Sequence, residues 1–240
     1  MEILVELEPV KSREKLVKRV ESLIEVADWV DVPDSPLGVT RFFSPMVSCF
    51  VKAARVEVKV IAHVRLLDLN RLAFESIVKT LEVCNVERIV PLTGDIIPGY
   101  VTVKDLSSEE AVALVKSIAG KLSPGLLLSL AKTLDEIERR VEAPADFYLV
   151  LNLTRENLEK IEAVSSLARR RGKLLYPYVI LLGERSATRV PEKLRARGLS
   201  SEEALEVVGA LEGLVEGVLL SAPGDFSLLL ETARALRRRA

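Results

Sequence analysis

Four residues of types able to move or hold protons fall at the ends of strand-like runs: Glu6, His63, Asp95 and Asn152. Side chains alternate between the two faces of a strand, so every second residue shares a face. In the first run, Ile3, Val5 and Leu7 form one apolar face, and Leu4, Glu6 and Glu8 form the other. In the third, Val58, Val60, Ala62 and Val64 oppose Ile61 and His63. In the fourth, Val90 and Leu92 read as outward, with Ile89, Pro91 and Thr93 inward and Gly94-Asp95 just past the end. In the sixth, Phe147, Leu149 and Leu151 read as outward, with Tyr148 and Asn152 inward. A carboxylate facing a packed interior is costly unless it is paired or solvated. Glu6 and Asp95 at one rim therefore read as functional residues, with His63 as support. For His63 alone, a satisfied core histidine is the plainer reading. Glu57 and Lys59, deeper in the third run, read as structural partners or surface groups.

The elements that must position these residues alternate along the whole chain. Strand-like runs cover residues 3–8, 29–32, 56–64, 88–92, 126–130, 147–151, 174–182 and 217–221. Amphipathic helical runs follow most of them, opened by Ser12, Ser107, Thr133, Thr154 and Ser200, side chains that cap helix N-termini. The second unit is the least distinct, and residues 44–54 must supply its helix. Eight βα units in 240 residues predict an α/β fold, a single-domain (β/α)8 TIM barrel over residues 1–240. An open doubly wound sheet is the alternative, since periodicity does not report closure. Barrel enzymes place their chemistry at the C-terminal ends of the strands.

Composition excludes several classes of function. The net charge is −1, with 34 basic and 35 acidic residues interspersed, which gives no electrostatic footprint for nucleic acid. Arg169–Arg171 and Arg237–Arg239 lie at helix C-termini, where the helix dipole favours cations. No run resembles a signal peptide or a membrane span, so a cytoplasmic location is expected. Cys49, Cys84 and the single His63 make a poor metal set, and the cysteines read as buried free thiols. Glutamine is absent, while Arg and Glu are abundant, a drift associated with hot habitats.

Several motifs resemble those of the methylenetetrahydrofolate reductase family. They are Val5-Glu6-Leu7-Glu8-Pro9, Trp29-Val30-Asp31-Val32, Ala62-His63-Val64 and Arg88-Ile89-Val90-Pro91-Leu92-Thr93-Gly94-Asp95. Two later stretches, Arg139–Asp146 and Arg189-Val190-Pro191, are similar as well. The resemblance implies a flavin-dependent barrel that reduces a methylene-pterin or folate carrier to its methyl form. It implies Glu6 and Asp95 as catalytic residues, with Glu6 protonating the pterin amine. Ser44, His63, Thr93, Gly94 and Arg140 would lie at the flavin, FAD or FMN, with NADH or NADPH as hydride donor. Asn152 would contact substrate.

The sequence also departs from that pattern. Thr93 stands where the family has arginine, and Leu130-Ala131-Lys132 replaces a longer loop after strand 5. Ser221-Ala222-Pro223-Gly224-Asp225 replaces an asparagine-bearing loop. A second expectation is therefore a flavin-free relative that binds a pterin or another small molecule, alone, as a homo-oligomer or with a partner subunit. A barrel scaffold without a site would leave the inward carboxylates unexplained.

Overall fold

The structure, a computed structural model, describes all residues except 9, 11, 184, 185, 187–189 and 240, and the side chains of residues 37 and 193. Eight parallel strands close into a barrel in chain order. They are β1 (Glu2–Glu6), β2 (Trp29–Val32), β3 (Lys59–Arg65), β4 (Arg88–Leu92), β5 (Ser123–Ser129), β6 (Phe147–Leu151), β7 (Leu174–Ile180) and β8 (Gly217–Ser221). Each is followed by a helix: α1 (Arg13–Ile24), α2 (Ser44–Ala54), α3 (Arg71–Val83), α4 (Ser108–Ile118), α5 (Leu134–Val141), α6 (Leu158–Arg170), α7 (Ser201–Leu211) and α8 (Phe226–Arg237). A helical turn, Glu192–Arg195, precedes α7. The closed barrel expected from the sequence is thus what the chain forms, and the open sheet is excluded by the β1–β8 ladder.

The helices start where hydroxyl and carboxylate side chains can accept their orphaned N–H groups. Ser107, Thr133 and Ser200 each form a capping box with the glutamate three residues on. One buried layer lies between barrel and helices. A smaller one fills the barrel, with Leu4, Ile61, Val90, Leu149 and Leu219 at its middle. Below it, Glu2 accepts hydrogen bonds from Trp29 (3.1 Å) and Tyr176 (2.7 Å). The Arg88 guanidinium lies 3.8 Å from the Trp29 ring centre and also faces Phe147 and Tyr176. This plug closes the N-terminal end with cation–π contacts. Lys59 stands over Trp29 in the same cluster, and Glu57 is exposed.

Two expectations need correction, the facing of β4 and β6 and the state of the cysteines. In β4 and β6 the facing is reversed: Val90, Phe147 and Leu149 fill the barrel, and Ile89 and Tyr148 pack toward the helices. These strands are apolar on both faces, so alternation of polarity carries no phase. The cysteines are not free thiols. Cys49 in α2 and Cys84 at the end of α3 form a disulfide, with Cα atoms 5.2 Å apart. Adjacent barrel helices bring together two cysteines 35 residues apart, which sequence spacing does not reveal.

The barrel has one weak seam. β4 and β5 pair only at Arg88–Ser123 and Ile89–Pro124. Pro91 and Pro124 have no N–H to donate to the ladder. Arg140 of α5 reaches into the gap from outside and donates its Nε–H to the Leu127 carbonyl at 3.2 Å. The same guanidinium bonds Ser108 and pairs with Glu109 of α4.

Candidate active site

The mouth is built by the last inward residue of several strands. The β1–β2 register places Glu6 directly beside Asp31, and β8 brings Ser221 to the other side of Glu6. His63 projects from β3 in phase with Ile61 and meets Asp31, its Nε2 lying 2.8 Å from Asp31 Oδ1. The Tyr178 hydroxyl of β7 faces the second oxygen, Oδ2, at 3.5 Å. Asp31 is fully buried and His63 is 5% exposed.

The two neighbouring carboxyl groups are treated differently by their surroundings. Asp31 has an imidazole and a phenol against it. Among the described residues, Glu6 has only the Ser221 hydroxyl, which donates to Oε1 at 3.1 Å. Burial, reinforced by the charge of Asp31, pushes the Glu6 carboxyl up to about 7, against the lowering effect of His63 and Ser221. Burial opposes the His63 imidazolium, but Asp31, Glu6 and Asp34 outweigh it and raise its pKa. Burial and the adjacent carboxylates push the Tyr178 phenol well above its ordinary value, so it stays a donor. One group is thus poised near neutrality beside a stabilised imidazolium.

A second layer lies at the outer end of β3. Asp34, raised by burial, accepts the Arg65 N–H at 3.0 Å. The Arg65 Nε donates to Asp68 Oδ2 at 2.6 Å. Arg65 is inward by strand phase, 3% exposed, and packed under Gly94.

Other expected site residues lie apart from this network. Asp95 is exposed in the loop beyond β4. Thr93 is also exposed, although its carbonyl accepts the Leu67 N–H. Asn152, in a left-handed conformation after β6, bonds Ser129 and Asn157. Glu8 turns to Arg19 of α1 and to the Gly224 N–H instead of the mouth. Sequence reasoning missed Asp31, Asp34, Arg65 and Tyr178. The signal for Asp31 was present, since it shares the inward phase of Trp29 on a four-residue strand that is buried throughout. Among the described residues, no group of three or more His, Cys, Asp and Glu side chains is disposed to hold a metal. No helix among them is long and apolar enough to cross a membrane.

No protein-family profile matches the chain, and no curated protein matches it. Among solved structures 622 chains match. One is the crystal structure of KGPDC, 3-keto-L-gulonate-6-phosphate decarboxylase, from Streptococcus mutans. It superposes with a TM-score of 0.61 at 14% identity, covering 99% of this chain and 96% of that one. The likeness is one of fold.

These findings overturn the resemblance to methylenetetrahydrofolate reductase. No profile carries it, and the similar barrel is named as a decarboxylase. The flavin-dependent reductase activity, the FAD or FMN cofactor, the NADH or NADPH donor and the flavin-free pterin-binding alternative are all withdrawn with it. The residues assigned to the flavin are also committed elsewhere. Ser44 is buried and donates its hydroxyl to the Val32 carbonyl at 2.7 Å. Arg140 lies outside the barrel, at the α4–α5 groove. His63 is held by Asp31, and Gly94 is covered by Arg65. Short motifs at strand ends reflect what a barrel rim requires, which many unrelated sequences satisfy.

Proposed function

We propose that this chain is an enzyme of general acid–base type, moving protons on a small polar substrate at the barrel mouth. The observation that carries this reading is the pairing of Glu6, poised at about 7, with the Asp31–His63 couple. Catalytic groups work best when their pKa lies near the working pH. Titratable neighbours whose surroundings shift their ionisation mark sites of proton transfer, and here both Glu6 and His63 are raised.

The step that fits is enolisation. The Glu6 carboxylate takes a proton from carbon next to a carbonyl, and the C–H electron pair becomes the C=C bond of an enol. The carbonyl oxygen receives the Nδ1 proton of His63, whose Nε2 stays on Asp31. Nδ1 has no hydrogen-bond partner among the described residues. The enol then returns its O–H proton to His63, and the C=C electron pair takes a proton from Glu6 at the carbon that lost one, restoring the carbonyl. Protons and electrons balance without an oxidant. Loss of carbon dioxide, the reaction named for the similar barrel, also leaves a carbanion equivalent that must be protonated, so both reaction classes suit this pair.

The test is solvent exchange in heavy water, followed by proton NMR over levulinate, pyruvate, dihydroxyacetone and dihydroxyacetone phosphate. Exchange of C–H next to the carbonyl, abolished in Glu6→Gln, supports the reading. Exchange no faster than in buffer for every compound, or unaltered in Glu6→Gln, refutes it.

A further inference from the structure

We infer that Arg65 anchors a carboxylate group of the substrate, and that this anchor takes the place of a phosphate grip. Arg65 projects inward from the end of β3, one step beyond His63 on the same face. Its Nε is engaged by Asp68, but its two Nη groups have no hydrogen-bond partner among the described residues. They keep some solvent contact: among the described residues, the fully buried side-chain atoms without partners are Ser48 Oγ and Arg88 Nη1. That solvent contact is slight, because the side chain is only 3% exposed, and it leaves the outer Nη edge of the guanidinium nearly desolvated and without an acceptor among the described residues. Such an edge offers parallel N–H groups that match the two oxygens of a carboxylate.

The guanidinium's position is enforced by Gly94. A Cβ there would lie 2.5 Å from Arg65 Nη1 and 2.7 Å from Cγ. Gly94 also has φ +87°, a left-handed conformation that other residues adopt only with strain. The glycine therefore lets Arg65 pass beneath the β4 loop.

Two observations favour a singly charged carboxylate over a phosphate ester. Barrel phosphate sites are usually made by loops after β7 and β8 and a helix N-terminus. Here the Gly224 N–H after β8 donates to Glu8 Oε1 at 2.6 Å, and the Leu228 N–H of α8 donates to Asp225 Oδ1 at 3.1 Å. The chain's own carboxylates take those donors. Asp31, Asp34 and Glu6 also share the mouth with Arg65, and a dianion would meet more repulsion from them than a monoanion.

This inference deepens the acid–base reading and rests on it only for the mouth being the working site. Its test measures binding by saturation-transfer NMR, with levulinate, methyl levulinate and dihydroxyacetone phosphate as probes. The expected order is levulinate first, with affinity falling about 10- to 100-fold in Arg65→Met and in Arg65→Lys, which keeps the charge and loses the fork. In the wild type, 15N resonances of the Arg65 Nη groups should shift with levulinate, a readout that stands even if the variants unfold. Tighter binding of the phosphate, no binding of levulinate, levulinate affinity unchanged in folded Arg65→Met, or unshifted Nη resonances would each overturn the inference. Carboxylate binding through Arg65 without exchange would sink the acid–base reading alone. Exchange independent of Arg65 would sink only this one.

Discussion

Glu6 and Asp31 are register partners on adjacent parallel strands, so two carboxyl groups face the barrel mouth side by side. Like charges this close resist joint ionisation. Asp31 has the His63 and Tyr178 groups against it, while burial and the charge of Asp31 raise the Glu6 carboxyl to about 7.

That arrangement has a cost in stability with a defined pH dependence. The unfolded Glu6 carboxyl releases its proton near 4.5 and the folded one near 7. The folded state is therefore relatively favoured below 4.5 and loses stability as pH rises through about 7. A shift of this size corresponds to about 3 kcal/mol. Glu6→Gln should raise Tm at pH 8 by about 5–10 °C and change it little at pH 4.5. Calorimetry at the two pH values checks this, and an equal effect at both would count against a Glu6 carboxyl that keeps its proton up to about 7.

Asp31→Asn removes both the charge that raises Glu6 and the charge that supports the His63 imidazolium. Activity should depend on pH as a bell, rising as Glu6 ionises and falling as His63 loses its proton. In Asp31→Asn both limbs should move to lower pH, with a reduced maximum. A profile that loses height without moving would show that Asp31 does not tune either group.

The Cys49–Cys84 disulfide closes a 35-residue loop across α2, β3 and α3. Loop-closure entropy assigns such a link about 4 kcal/mol. Reduction, or the double change to serine, should lower Tm by about 8–15 °C without altering the Glu6 titration. Thermal unfolding with and without reductant gives the comparison.

Gly94→Ala should disturb Arg65 before anything else, because the added methyl overlaps its guanidinium. The left-handed backbone alone implies a loss of about 1–2 kcal/mol. Levulinate affinity should fall as well. Denaturant unfolding together with binding separates the two effects, and a neutral substitution on both counts would contradict the close packing of Gly94 on Arg65.

The barrel was legible because eight strand-like runs alternate with capped helices in a chain of suitable length. Glu6 and His63 were legible because each is a polar interruption on the inward phase of an otherwise apolar strand. Asp31 was not singled out, since β2 has only four residues and its phase follows from Trp29 alone. The facing of β4 and β6 was not legible, because strands buried on both sides carry no polar alternation. Arg65 became visible only when the β3 ladder carried the strand one residue past His63 and Val64. The motif resemblance misled because it rested on short segments at strand ends, where many barrels place acids, glycines and prolines.

The central claim, that the barrel mouth holds one carboxyl group poised for proton transfer, is tested most directly by titrating Glu6 itself. Selective 13C labelling of glutamate carboxyl carbons, with Glu6→Gln to assign the resonance, follows its ionisation from pH 3 to pH 9. A midpoint near 7 is expected. A midpoint near 4.5, the ordinary value for glutamate, would contradict the claim.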